Sequence, residues 1–199
     1  MADNGVNKGR RRFLVGATSV VGAVGAVGVA VPFVASWQPS AKARAAGAPV
    51  QADISKLEPG QRMTVEWRGK PVWVINRTPE MIERTTALGA DRLADPDSKV
   101  PQQPAYIDGE LRSIKPEIGV IVGICTHLGC SPLFKPEPDA DGVGVDNWPG
   151  GFFCPCHGSR FDLAGRVFSN VPAPTNLEVP PYRFESDEII VIGEDKETA

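Results

Sequence analysis

The four cysteines and two histidines of this chain all fall in two six-residue boxes, CTHLGC over Cys125–Cys130 and CPCHGS over Cys154–Ser159. The first supplies Cys125, His127 and Cys130; the second supplies Cys154, Cys156 and His157. Chance would scatter six such residues over 199 positions, so the boxes must face each other around something. Zinc would take four of the six in a closed tetrahedral site. Zinc ribbons use Cys-x2-Cys knuckles, however, and neither box contains one. A pure disulfide framework would use the cysteines and leave both histidines without work. It would also be odd in a body large enough to bury its own core. A two-iron cluster uses all six. Cys125 and Cys154 would hold one iron and His127 and His157 the other. Cys130 and Cys156, one in each box, are then left to bridge the loops as a disulfide, which needs an oxidising compartment.

Histidine on one iron has a chemical consequence. A neutral imidazole replaces an anionic thiolate, so the centre is less negative and easier to reduce. The imidazole also keeps a second ring nitrogen that can lose or gain a proton. Oxidising the iron places positive charge beside that ring and favours proton loss, which couples proton and electron.

The segments that must position these boxes read as follows. Lys8, Arg10, Arg11 and Arg12 form a basic tip, while the chain from Lys42 onward carries 17 basic and 23 acidic residues. The overall charge of −3 gives nucleic-acid binding no electrostatic support. Between tip and body, Phe13–Trp37 is a 25-residue run without a charge. As a helix it would span about 37 Å, enough for a bilayer core of about 30 Å. The preceding arginines predict a cytoplasmic N-terminus over residues 1–12 and a membrane anchor over 13–37. The run exceeds a signal-peptide core, so a retained anchor is favoured over cleavage near Ala41–Ala43. Arg10–Leu14, RRRFL, also fits the twin-arginine export pattern, although Gly9 stands where Ser or Thr is usual.

Gln38–Asp53 is rich in small residues and reads as a flexible tether that could reach about 50 Å. The 19 prolines and 21 glycines favour a loop-rich β body over 54–194, with the boxes in a part near 120–175 and a polar tail at 195–199. A hairpin is predicted around Arg68–Lys70, a short helix from Pro79 after an N-cap at Thr78, and a buried strand feeding Cys125. Short strands are predicted at GGFFCPC, SRFDL and RVFS, and a closing hairpin turns at Ser186–Asp187. The acidic, turn-rich segment 131–151 reads as a surface insertion.

CTHLGC with CPCHGS resembles the Rieske iron–sulfur subunits of bacterial ubiquinol–cytochrome c reductases. The likeness extends to the twin-arginine-like anchor, the small-residue tether and VPAP at 171–174, similar to that family's proline-rich loop over the cluster. It implies a mainly β fold: an N-terminal transmembrane helix, a flexible neck and an all-β head with a small cluster-binding subdomain. It implies one [2Fe–2S] cluster on Cys125, His127, Cys154 and His157, with Ser159 as a hydrogen-bond donor and Cys130–Cys156 as a disulfide. His157 would reach the quinol, and Leu128 would pack at the docking tip.

The implied partners are a cytochrome b subunit, a membrane c-type cytochrome, ubiquinol and membrane lipid, in a dimeric complex. The implied location is a bacterial inner membrane, crossed once, with the head in the periplasm. Many family members carry Tyr where this chain has Phe161. Phe cannot donate a hydrogen bond to a ligand sulfur, so a lower potential than in a Tyr-bearing relative is expected. The other readings are the Rieske subunit of another exported oxidoreductase, of arsenite oxidase type, and an anchored zinc- or disulfide-stabilised binding module.

Overall fold

The computed structural model describes residues 5, 7–45 and 47–195. Most of the expected tail and the first four residues of the N-terminal segment therefore lie outside the described residues. The chain divides after Ala45 into two units.

The first unit is built on helix α1, Lys8–Ala35, 28 residues long. It begins five residues before the expected anchor because Asn7 caps it, its side chain accepting from the Arg10 amide at 3.1 Å. Its apolar window has a mean hydropathy of 2.1, and none of its residues is buried. By length and composition it suits a bilayer crossing. Pro32 lies in its last turn, and Phe33 packs edge-on to Trp37 with ring centroids 5.5 Å apart. A single short helix, α2, follows at Ala41–Ala45.

The second unit holds, among the described residues, three antiparallel sheets of three strands each. The strands are β1 Val50–Asp53, β2 Arg62–Trp67, β3 Lys70–Asn76, β4 Ile118–Val122, β5 Leu133–Lys135, β6 Gly151–Phe153, β7 Arg160–Asp162, β8 Tyr182–Phe184 and β9 Ile189–Ile192. The sheets run β1-β9-β8, β2-β3-β4 and β5-β6-β7. Val50–Asp53, expected within the tether, is thus a sheet strand whose Ala52 pairs with Ile190. Only one of its residues is buried, so its own pattern does not announce a strand.

The sheet β2-β3-β4 is the middle layer, and side-chain alternation feeds a core on each face. Val72 and Val74 of β3, with Val120 and Val122 of β4, pack with Ala52, Tyr182, Ile190 and Ile192 of the first sheet. Trp73, Ile75 and Ile121 point the other way and pack with Phe152, Phe161, Cys125 and Cys154. Burial on both faces explains why β4 is buried at all five positions. Each such aliphatic side chain contributes about 1.5–3 kcal/mol. The β2–β3 hairpin closes through Arg68 and Gly69, both at positive φ (53° and 71°), the two-residue turn that matches strand twist. Helix α3, Pro79–Thr86, starts after Thr78, whose hydroxyl accepts from the Met81 amide.

Two further expectations fail for identifiable reasons. RVFS is not a strand; Val167 and Phe168 make only isolated bridges to Phe161 and Leu93. Side chains capture the amides it would need: Arg166 N–H donates to Asp162 Oδ1 and Val167 N–H to Asn176 Oδ1, both at 2.8 Å. Segment 131–151 is not a surface appendage. It supplies β5, and Trp148 and Val143, each 1% exposed, form a third core with Leu88, Leu93 and Phe168. Its loop carbonyls are held by guanidinium groups. Arg84 donates to Pro149 O and Pro136 O, Arg92 to Asp146 O and Asn147 O, and Arg160 to Val143 O and Gly144 O.

Candidate metal centre

Strand β4 delivers the first box and β6 the second. Gly123 makes the approach feasible, since a Cβ there would overlap the Trp73 ring. The two boxes then adopt the same backbone. Cys125 N–H donates to Cys130 O (2.8 Å) and Gly129 N–H to Cys125 O (3.0 Å). Cys154 N–H donates to Ser159 O (2.8 Å) and Gly158 N–H to Cys154 O (2.9 Å). The fifth residue of each box is glycine with φ of 84° and 77°, a conformation glycine reaches without a Cβ penalty.

This geometry brings the six boxed residues together. Cys130 and Cys156 form a disulfide, S–S 2.13 Å, with Cα atoms 6.7 Å apart. Cys125 and Cys154 are buried and free. The His127 and His157 rings meet edge to face with centroids 4.7 Å apart. The Cys130, Cys154 and Cys156 sulfurs lie within 4.8 Å of one another, but two of them are spent in the disulfide. That trio is therefore not a ligand set. Burial pushes the Cys125 thiol up; the His127 amide opposes this, the neighbouring Cys154 thiol adds to it, and the Ser159 hydroxyl opposes it.

The loop 171–175 covers the boxes and is tied to both. Thr126 Oγ1 donates to Thr175 O at 2.7 Å, and Ala173 N–H donates to Ser159 Oγ at 3.0 Å. Asn176 anchors the far end, its Nδ2 donating to Asp95 O and Ser98 Oγ. Neither Thr126 nor Asn176 stands out in the sequence, where nothing in their spacing distinguishes them from ordinary loop polar residues. Phe161 is fully buried in the core that contains Cys125 and Cys154.

Residues 1–40 match the family described as "Ubiquitinol-cytochrome C reductase Fe-S subunit TAT signal", and residues 48–182 match the Rieske [2Fe-2S] domain. A relative in Allochromatium vinosum named "Ubiquinol-cytochrome c reductase iron-sulfur subunit" is 63% identical over all of this chain and 95% of its own length. The chain belongs to the Rieske iron–sulfur subunits of ubiquinol–cytochrome c reductase. A subunit of the same name in Bradyrhizobium diazoefficiens is 41% identical over 92% of this chain and 94% of that one. "Cytochrome b-c1 complex subunit Rieske, mitochondrial" of Schizosaccharomyces pombe is 38% identical over 89% and 68%.

The Rieske domain is one that holds a [2Fe–2S] cluster, and the residues present fit it. Two free buried thiols and two imidazoles converge. His127 Nδ1 is buried with no hydrogen-bond partner in the protein, as a nitrogen kept for a metal would be. The matched domain is an iron–sulfur domain, which sets aside the zinc-module reading.

Proposed function

We propose that this chain carries single electrons from ubiquinol to a membrane c-type cytochrome, with Cys125 and Cys154 on one iron and His127 and His157 on the other. The cluster, when bound, supplies a high-potential one-electron couple. The observation that carries the reading is the exposure of His157 beside the half-buried His127, on a tip whose other exposed residues include Leu128, 71% exposed, Pro155, Pro172 and Pro174. An apolar rim of this kind suits docking on a quinone-binding cytochrome b, where it would exclude water. His157 would hydrogen-bond the quinol hydroxyl through a ring nitrogen and hold the proton released there. Leu128, next to His127 in the first box, packs at the contact.

Membrane anchoring rests on α1 and on the twin-arginine match, with Lys8 and Arg10–Arg12 on the cytoplasmic side and the head in the periplasm. The neck between α1 and β1 then lets the head move between quinol site and haem while keeping its local concentration high. The complex is a dimer, as the family resemblance implies. Electron paramagnetic resonance of membranes containing the reduced full chain tests the reading. A Rieske signal that shifts when a quinone-site inhibitor is added is the expected result; an iron-free protein, or a signal indifferent to the inhibitor, overturns it.

A further inference from the structure

The head buries three arginines and two aspartates, Asp162 and Asp95, around the turn that follows β7. Arg77, Arg112, Arg166 and Asp162 are each at most 2% exposed. Arg166 and Asp162 neutralise each other, Nε donating to Oδ2 at 2.6 Å. Among the described residues, neither Arg77 nor Arg112 has a carboxylate at ion-pair distance. Arg77 donates to Leu163 O (3.2 Å), Ser113 Oγ (3.1 Å) and Pro116 O (3.0 Å), and its Nη2 has no partner. Arg112 donates to Gln103 Oε1 (2.6 Å), Leu177 O (2.8 Å), Ala164 O (3.1 Å) and Gln102 O (3.4 Å). Burial lowers both guanidinium pKa values to about 10, partly opposed by Asp162 and, at Arg112, also by Asp95, so both stay charged at neutral pH.

Two buried cations satisfied only by neutral oxygens are expensive. Their placement is specific. Both bond the turn 162–166, which continues β7 directly after Phe161. Arg112 also bonds the carbonyl of Leu177, whose side chain shares the core of Ile121, Cys125 and Cys154.

We propose that Arg77 and Arg112 are electrostatic tuning residues that favour the reduced, more negative cluster and so hold its potential up. A positive charge inside the head is screened less than one in water, so at an effective dielectric of about 20 it still acts on the electron across the core. The inference rests on the cluster reading above.

Redox titration of the full chain in membranes, followed by the reduced-state resonance signal, tests it. Arg77→Met and Arg112→Met are each expected to shift the reduced-to-oxidised ratio at fixed poise by about three- to tenfold toward oxidised, as loss of one buried charge requires at an effective dielectric of about 20. Arg77→Lys and Arg112→Lys keep the charge without the forked hydrogen bonds and should stay within about twofold of the parent. Ser113→Asp places a carboxylate on Arg77 at a half-buried position and should shift the ratio in the same direction as Arg77→Met. It also keeps the test decisive if the Met variants fail to fold. Lys and Met variants shifting alike, or Ser113→Asp leaving the midpoint unmoved with an intact spectrum, overturns the inference. If the parent chain gives no iron–sulfur signal, the cluster reading itself has failed; a normal parent signal with unmoved variants condemns the tuning role alone.

Discussion

The two boxes share one backbone and expose different things. Position by position, the third residue is His127 in one loop and Cys156 in the other, and the fourth is Leu128 against His157. That one-residue offset of histidine decides its surroundings. His127 is half-buried with a partnerless Nδ1, whereas His157 is exposed. The sixth residue differs as well: Cys130 completes the bridge to the other loop, while Ser159 is buried and accepts from Ala173 of the covering loop. A repeated loop thus need not repeat a role. One copy keeps its imidazole half-buried and puts leucine at the surface; the other puts the imidazole at the surface.

The largest expected effect removes the first residue of each loop. Cys125→Ala and Cys154→Ala should each abolish cluster binding, read as iron per chain and as loss of the reduced-state signal. If both first positions are ligands, the two variants fail equally. A cluster retained in either would break the equivalence drawn between the loops.

Next in size is the bridge. Cys130→Ala with Cys156→Ala removes a link spanning 26 residues. On the chain-entropy view that costs about 3.5 kcal/mol. The double variant should still load iron, lose it faster on dilution with chelator, and melt well below the parent. Because the bridge joins the loops to each other, each single variant should do most of this damage. An unchanged melting temperature would mean that the covering loop alone, through Thr126 and Ser159, holds the two boxes in place.

The boxes are legible in the sequence because cysteine and histidine have no blander reason to cluster there. The β2–β3 hairpin is legible too, since alternation flanks a turn that needs positive φ. Strand β1 is not. It buries one residue and pairs with β9, far along the chain, so tertiary context alone makes it a strand. Segment 131–151 misleads because its acids face solvent while single apolar residues, Val143 and Trp148, do the packing. Nor do Arg77 and Arg112 differ in sequence from arginines that lie on a surface. Their burial follows from carbonyls that short strands and prolines leave without amide partners. The equivalence of the loops lies in backbone hydrogen bonds, which CTHLGC and CPCHGS do not spell.

The glycines test that equivalence more finely. A Cβ at Gly129 or Gly158 meets nothing within 4 Å, so alanine there costs only the left-handed backbone. That is about 1–2 kcal/mol. Gly129→Ala and Gly158→Ala should therefore destabilise by the same amount in denaturant unfolding of the oxidised protein. A clear difference would show that one loop tolerates relaxation that the other does not.

The smallest expected effect concerns the residue two positions beyond the second box. Phe161→Tyr adds a hydroxyl inside the core that holds Cys125 and Cys154. If the hydroxyl donates to a ligand sulfur, it stabilises the more negative reduced state, and the midpoint rises. The reduced-to-oxidised ratio at fixed poise should then grow by about two- to tenfold with the melting temperature unchanged, since the new donor is satisfied. If the hydroxyl finds no acceptor, a buried unsatisfied group costs about 1–3 kcal/mol, and the melting temperature falls while the midpoint stays put. Each outcome moves one readout and leaves the other, so one titration and one melt decide whether Phe161 lowers the potential of this chain or merely fills space behind the loop.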